Sequence, residues 1–288
     1  MKPSDQKQLI SWLFETRALH VAPSDQPFWY TSGTFGPYYI NTHFLYGNET
    51  AANELLRVID HFSEKPLDLP HILEKRTMTQ YAACDRYHQL MDFIVSELEK
   101  LPCDFISGGE RRDFFFSICA ASLLKKPHVS LFKDGSVVLT EDFQKSSRLL
   151  GEDSVQGKVA LHVADLVTEA SSYIRYWLPG LRRVGAKLPA TLAVVDRNQN
   201  GRAVLEREGV RLISLITIEP SLFEQAAQIG LITPDQRDEA IRFITDPKQY
   251  MIDFLKRHPQ FIEEQIAAGG KNKERALRFK EQQSDLAK

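Results

Sequence analysis

From Cys103 to Ile218 short apolar runs alternate with amphipathic stretches, and this alternation restricts the possible folds more than any other feature of the chain. The runs Asp104–Ser107, His128–Phe132, Ser136–Thr140, Val159–Val163, Ala190–Val195 and Arg211–Ile218 have the length and composition of strands. Between them, Asp113–Leu124, Ser171–Val184 and Gly201–Glu208 carry helical periodicity. Strands that alternate with helices predict an α/β fold, a parallel sheet with right-handed crossovers and helices on both faces. Val159–Val163 has a single polar member, His162, the pattern of a strand buried on both sides. Ligands bind such sheets in the crevice beyond the carboxyl ends of the strands. Asp165 and the hydroxyl-rich stretch Thr168–Ser172 fall there, followed by a helix whose first amides are free to hold an anion. A sugar phosphate is the ligand this stretch suits.

The flanking regions read differently. Asp5–Leu19, Thr50–Phe62 and Tyr81–Lys100 have helical spacing, whereas the aromatic segment Pro27–Asn41, PFWYTSGTFGPYYIN, predicts a strand, a tight turn and a second strand. Ser63–Thr79 is polar, contains Pro66 and Pro70, and reads as a surface connection with room for a short helix. Beyond Glu219 the strand signal stops. Leu222–Ile229, Pro234–Ile244, Lys248–Arg257, Pro259–Ala267 and Lys271–Gln283 predict helices, with starts marked by Thr233-Pro234 and Asp246-Pro247. The expected organisation is residues 1–218 as an α/β domain and 219–288 as a helical extension. The last stretch, with Lys271, Lys273, Arg275, Arg278 and Lys280, reads as a solvated helix, with a partner or nucleic-acid contact as the second reading.

Composition excludes several classes. At 43% hydrophobic and 26% charged the chain is globular, and a net charge of −2 gives no global electrostatic case for nucleic acid. No apolar stretch approaches the ~20 residues that span a bilayer, and the N-terminus lacks a secretory pattern, so a cytoplasmic protein without a membrane partner is expected. The cysteines Cys84, Cys103 and Cys119 lack zinc-site spacing and are read as buried thiols.

Four segments together resemble the type I phosphoribosyltransferases, most closely the orotate phosphoribosyltransferases, from about Ser4 to Ile218. YTSGTFGPYYIN resembles the N-terminal base-binding hood of that family, within residues 1–47, with Ser32, Gly33, Pro37, Tyr38, Tyr39 and Asn41 matching and Thr31 where the family has lysine. Ser107-Gly108-Gly109-Glu110-Arg111-Arg112-Asp113 resembles the pyrophosphate loop: Gly109 would bring amides to the anion, and Arg111 and Arg112 would fork its oxygens. HVSLFKDG resembles the strand before a mobile catalytic loop, with Lys133 and Asp134 matching and Phe132 replacing an arginine. The segment that follows lacks the family's histidine, and Lys145 and Arg148 are the candidate lid cations. VADLVTEASS resembles the ribose 5-phosphate loop. Its first acid is Ala164, its second is kept as Asp165, Thr168 is kept, Glu169 stands at a small-residue position, Ala170 replaces glycine, and Ser171 and Ser172 keep hydroxyls.

A further match, VVDRNQNG, places Arg197 where the family has an arginine on the orotate carboxylate, with Asp196 beside it. The resemblance implies a phosphoribosyltransferase-like sheet with flanking helices, a hood and a helical extension. It implies transfer of ribose 5-phosphate from phosphoribosyl pyrophosphate to orotate or another base. Asp165, Lys133 and Lys145 would be catalytic; Ser32, Tyr38, Tyr39, Gly109, Arg111, Arg112, Thr168, Ser171, Ser172 and Arg197 would bind substrate. Magnesium would be held mostly by the substrate, with Asp165 as an indirect metal contact, and the protein would be a homodimer. The departures at Thr31, Phe132, Ala164 and Ala170 keep a second reading open, a catalytically impaired homologue that binds a nucleotide or sugar phosphate and regulates.

Overall fold

A computed structural model describes residues 3–286. The chain opens with helix α1 (Pro3–Glu15) and four short strands, β1 (Leu19–Val21), β2 (Phe28–Trp29), β3 (Phe35–Gly36) and β4 (Tyr38–Ile40). A 3-10 turn (Thr42–Tyr46) leads to α2 (Glu49–His61), α3 (Leu69–Ala83) and α4 (Asp85–Leu98). Then come β5 (Phe105–Gly109), α5 (Phe114–Leu123), β6 (His128–Leu131), β7 (Val137–Thr140), β8 (Arg148–Leu149) and β9 (Val159–Val167). A π turn (Tyr173–Trp177) runs into α6 (Leu178–Arg183), followed by β10 (Lys187–Asp196), α7 (Gly201–Arg207) and β11 (Arg211–Thr217). Helices α8 (Pro220–Gln228), α9 (Pro234–Thr245), α10 (Pro247–Arg257), α11 (Phe261–Ala268) and α12 (Gly270–Leu286) complete the described chain.

These elements form two compact units. The first takes the chain up to Ala18 together with Asn41–Ile218, and the second takes Leu19–Ile40 together with the chain from Glu219 onward.

In the first unit a seven-stranded sheet runs in the order β11-β10-β9-β5-β6-β7-β8. Pairing is parallel from β11 to β6, and β7 and β8 add an antiparallel edge. The chain leaves β5 towards β6 on one side and returns as β9 on the other, which creates a topological switch point between β5 and β9. Ser107 lies in register with His162 across that boundary. β9 is longer than its apolar run, because Ala164, Leu166 and Val167 continue the ladder with β10. The helix expected over Ser171–Val184 is interrupted by the π turn, a local widening that recurs at functional sites.

The stretch Ser63–Thr79, expected as a surface connection, instead carries most of the 15-residue helix α3. Pro70 falls in its first turn, where proline is tolerated, and Leu69, Leu73 and Thr77 form one buried stripe at four-residue spacing.

The second unit pairs β1 with β4 and β2 with β3, both antiparallel. The predicted helix starts are present. Thr233 and Gln236 form a reciprocal capping box at α9, and Asp246 accepts from the Gln249 amide at α10, each with proline in the first turn. Trp29 stacks on Phe261 at 5.7 Å between ring centroids, and Phe35 meets Phe254, Phe261 and Phe279. Gly36 is required by close packing, since a Cβ there would lie 2.4 Å from the Tyr30 hydroxyl and 2.7 Å from the Phe243 ring. The cations of the last helix are mostly engaged. Arg275 donates to the Trp29 carbonyl at 3.0 Å, Arg278 to the Thr31 carbonyl at 2.6 Å, and Lys280 pairs with Glu263.

Candidate functional site

At the switch point of the first unit lies a cleft of about 310 Å³. Two turns form it. The turn after β5 contributes Glu110, Arg111, Arg112 and Asp113, and the end of β9 contributes Ala164 through Ser172. Lys133, from the turn after β6, and Tyr173 and Trp177, from the π turn, complete the lining. Side chains reach this place because parallel strands end together there, and the sequence gives each strand end a polar terminus.

Asp113 organises the cleft. It stands at the start of α5 but caps nothing in that helix. Its Oδ1 accepts from the Asp165 amide at 3.0 Å, and its Oδ2 accepts from the Gly109 amide at 3.0 Å. The Nε2 of His162 lies 3.3 Å from the same Oδ2, and Nδ1 of His162 meets the Ser107 hydroxyl at 3.1 Å. Asp165, 8% exposed, holds its proton far more tightly than an ordinary carboxyl. Burial is the main cause, the Asp113 carboxylate adds to it, and Arg112 acts in the opposite sense. His43 in the 3-10 turn is held neutral, its pKa lowered to about 3 by burial and then by the charges of Arg112 and Arg111.

The loop beyond β9 is braced by the turn that follows β10. Its carbonyls are satisfied from the neighbouring turn: Val167 accepts from the Arg197 amide at 2.8 Å and Thr168 from the Gly201 amide at 3.0 Å. A Cβ on Gly201 would lie 2.6 Å from the Thr168 carbonyl, so glycine permits this approach. Among the described residues the amides of Thr168, Glu169 and Ala170 make no backbone hydrogen bond. Ala170 adopts a φ of 56°, the left-handed region.

The fold of the chain is similar to that of the orotate phosphoribosyltransferase of Francisella tularensis, with a TM-score of 0.52 at 13% identity, covering 82% of this chain and 96% of that one. It superposes on UMP synthase of Leishmania donovani with a TM-score of 0.52 at 14% identity, covering 83% of this chain. The chain spans 42% of the length of that synthase. The fold is that of the type I phosphoribosyltransferases.

In sequence, this phosphoribosyltransferase-like chain is 28% identical over 170 residues to the orotate phosphoribosyltransferase of Staphylothermus marinus, which covers 59% of this chain and 79% of that protein. It is 31% identical over 97 residues to the protein of the same name from Methanoculleus marisnigri, 34% of this chain and 52% of that protein. No family model matches the chain.

Of the residues singled out in the sequence, Arg111, Arg112, Lys133, Asp165, Thr168, Ser171 and Ser172 meet in this one cleft. Arg111 is paired with Asp60 of α2, whereas Arg112 makes no hydrogen bond or ion pair among the described residues. Gly109 plays a different part from the one expected. It is the last residue of β5, its amide is taken by Asp113, and a Cβ on it would lie 2.3 Å from the Trp177 ring, so it serves packing rather than anion binding.

Lys145 lies outside the cleft. His71 of α3 binds both ends of the segment that carries it, Nδ1 to the Phe143 carbonyl at 2.9 Å and Nε2 to the Ser147 hydroxyl at 2.9 Å, and Lys145 pairs with Asp142 instead. Arg197 is half-buried just beyond the end of β10, and Asp196 accepts from Arg202 at 2.9 Å and from the Asn198 amide at 2.9 Å.

Ser32, Tyr38 and Tyr39 belong to the second unit. Ser32 is exposed and bonds Thr34 at 2.8 Å. Tyr38 is buried between Phe223 and Phe243, a core residue rather than a ligand contact, while Tyr39 is exposed. Residues that sequence reasoning left without a role are Asp113, His162, Tyr173 and Trp177. The available signal for Asp113 was an acid closing the Gly-Gly-Glu-Arg-Arg run, four residues after the last glycine.

Proposed function

We propose that this protein is a phosphoribosyltransferase that moves ribose 5-phosphate from phosphoribosyl pyrophosphate onto a pyrimidine base, orotate, and releases pyrophosphate. The observation that carries this reading is one cleft lined both by free cations, Arg112 and Lys133, and by a hydroxyl-bearing loop, Thr168 to Ser172. The sugar diphosphate has two anionic ends, and the cleft has a group for each. Relatives of this chain named orotate phosphoribosyltransferase support the choice of base.

In this reaction the protein acts mainly by positioning and by stabilising charge. The 5-phosphate sits on the loop, receiving the open amides of Thr168, Glu169 and Ala170 and the hydroxyls of Thr168, Ser171 and Ser172. Asp165 faces the ribose hydroxyls. Arg112 and Lys133 take up the charge that develops on the departing diphosphate, Arg112 through its planar fork. Arg197 receives the carboxylate of the base. Among the described residues no three His, Cys, Asp or Glu side chains are grouped to hold a metal ion. Magnesium would be carried into the cleft by the substrate's own phosphates and hydroxyls, with Asp165, an oxygen donor, assisting indirectly. Bound there, magnesium would neutralise part of the diphosphate charge. A homodimer is proposed on the same family likeness, and light scattering decides it.

Arg197→Ala tests the assignment of the base. The expected outcome is a KM for orotate raised at least tenfold, about the worth of one charge-assisted bond, with the KM for phosphoribosyl pyrophosphate unchanged. Equal loss of both would contradict it. A second reading, a sugar-phosphate-binding regulatory protein, is favoured by two observations, the missing acid at Ala164 and the anchoring of the Lys145 segment to α3. It predicts binding of the sugar diphosphate without turnover of any base.

A further inference from the structure

We propose that Asp113 is a positioning residue for the sugar-phosphate loop, a carboxylate in the turn between β5 and α5 that ties the end of β9 to the end of β5. The inference rests on the proposed function, and it adds a residue that the motifs of the sequence did not assign.

Asp113 joins the two turns that make the cleft. One oxygen holds the Asp165 amide and the other holds the Gly109 amide, each at 3.0 Å, so the ends of β9 and β5 are tied through a single carboxylate. A third donor stands behind it, His162 Nε2 at 3.3 Å. The orientation of that ring is fixed in turn by Ser107, its register partner on the adjacent strand, through Nδ1 at 3.1 Å. A carboxylate is an acceptor only, so the Nε2 position of His162 carries the hydrogen in this contact. Ser107 and His162 are wholly buried, and Asp113 is 8% exposed.

The order Ser107, His162, Asp113 has the chemistry of a nucleophilic triad, but the hydroxyl is sealed inside the sheet and has no route to a substrate. The direction of action is therefore reversed. The serine and histidine hold the carboxylate, and the carboxylate holds the loop. Both Asp113 oxygens are occupied by protein donors, so it reaches the ligand only through Asp165. Burying a charge is costly unless donors surround it, and three donors converging in a low-dielectric site make this tether strong. Gly109 belongs to the same device, because its amide is one of the three donors and its lack of a side chain lets Trp177 close over it.

Asp113→Asn keeps the shape, removes the charge and turns a donor towards groups that are already donors. Calorimetric titration with ribose 5-phosphate is expected to show affinity at least about tenfold below the parent protein, the loss of a hydrogen bond to a charged group. In turnover the KM for phosphoribosyl pyrophosphate rises and the KM for the base does not, a split that general loosening of the fold would not give. In NMR spectra the amides of Asp165 and Gly109 and the Nε2 of His162 shift together, while amides remote from the cleft stay in place. Parental affinity for ribose 5-phosphate in the variant would overturn the proposal. Failure of the parent itself to bind ribose 5-phosphate would overturn the proposed function instead. The tether is then judged by NMR alone, and unshifted Asp165 and Gly109 amides would refute it. Should Asp113→Asn not fold, His162→Leu removes one donor and leaves the carboxylate; severalfold weaker binding supports the tether, and unchanged binding refutes it.

Discussion

Ala170 stands at φ 56° where the resembling motif has glycine, so a side chain occupies a conformation that costs an L-residue about 1–2 kcal/mol. Ala170→Gly is expected to stabilise the protein by about 1 kcal/mol, read as a higher urea midpoint at unchanged slope; an unchanged or lower midpoint would contradict it. Asp165 gives a pH dependence. Burial and the Asp113 carboxylate raise its pKa from 3.8 to about 8. The folded state thus holds a proton that the unfolded chain releases, and the stability this adds is complete below about pH 4 and lost as pH rises towards about 8. The buried His43 and His128, each lowered to about 3, act in the opposite sense, adding stability above about pH 6.5 that is lost as pH falls. Comparison with Asp165→Asn isolates the first effect: the variant should gain stability relative to the parent between about pH 5 and about pH 8, and a constant difference would refute the assignment. The glycine motif shows where sequence stopped. Two adjacent glycines and two arginines pointed to a turn that lines the cleft, but whether Gly109 offers its amide or its bareness depends on Trp177, 68 positions away in the chain, which local pattern does not reveal.

Among the elements, α3 was the least legible and has the clearest consequence. Its prolines suggested a break, yet Pro70 falls where a helix tolerates it, and the buried stripe was hidden by polar residues between. His71 of this helix holds the segment between β7 and β8 by two bonds, so the loop expected to move is anchored. His71→Ala should raise hydrogen exchange and protease cleavage across residues 141–147 and lower stability by about 1–2 kcal/mol. Unchanged exchange there would show that other contacts hold the loop. Strands were easier to foresee. β9, β10 and β11 were visible because buried parallel strands leave continuous apolar runs, whereas the two-residue β8 has too little sequence to carry a pattern.

At the scale of the molecule, the helical extension is the partner of the aromatic segment, since Leu19–Ile40 and the helices from Glu219 onward form one unit. Trp29, Phe35 and Tyr38 are buried against Phe261, Phe254 and Phe223 in it. Truncation before Glu219 should therefore expose these rings and yield aggregated protein in size-exclusion chromatography; a monodisperse truncated chain of parental stability would contradict this. The α/β class was legible because its alternation spans more than a hundred residues. The joining of the aromatic segment to the tail was not, because no short-range pattern links positions about two hundred residues apart. A cleft that holds phosphoribosyl pyrophosphate for transfer to orotate is tested by incubating the purified protein with both and with magnesium, following orotate and pyrophosphate together. Orotate is expected to be consumed and pyrophosphate released in equal amounts, with neither change when the sugar diphosphate is omitted. No consumption of orotate, with phosphoribosyl pyrophosphate left intact, would contradict it.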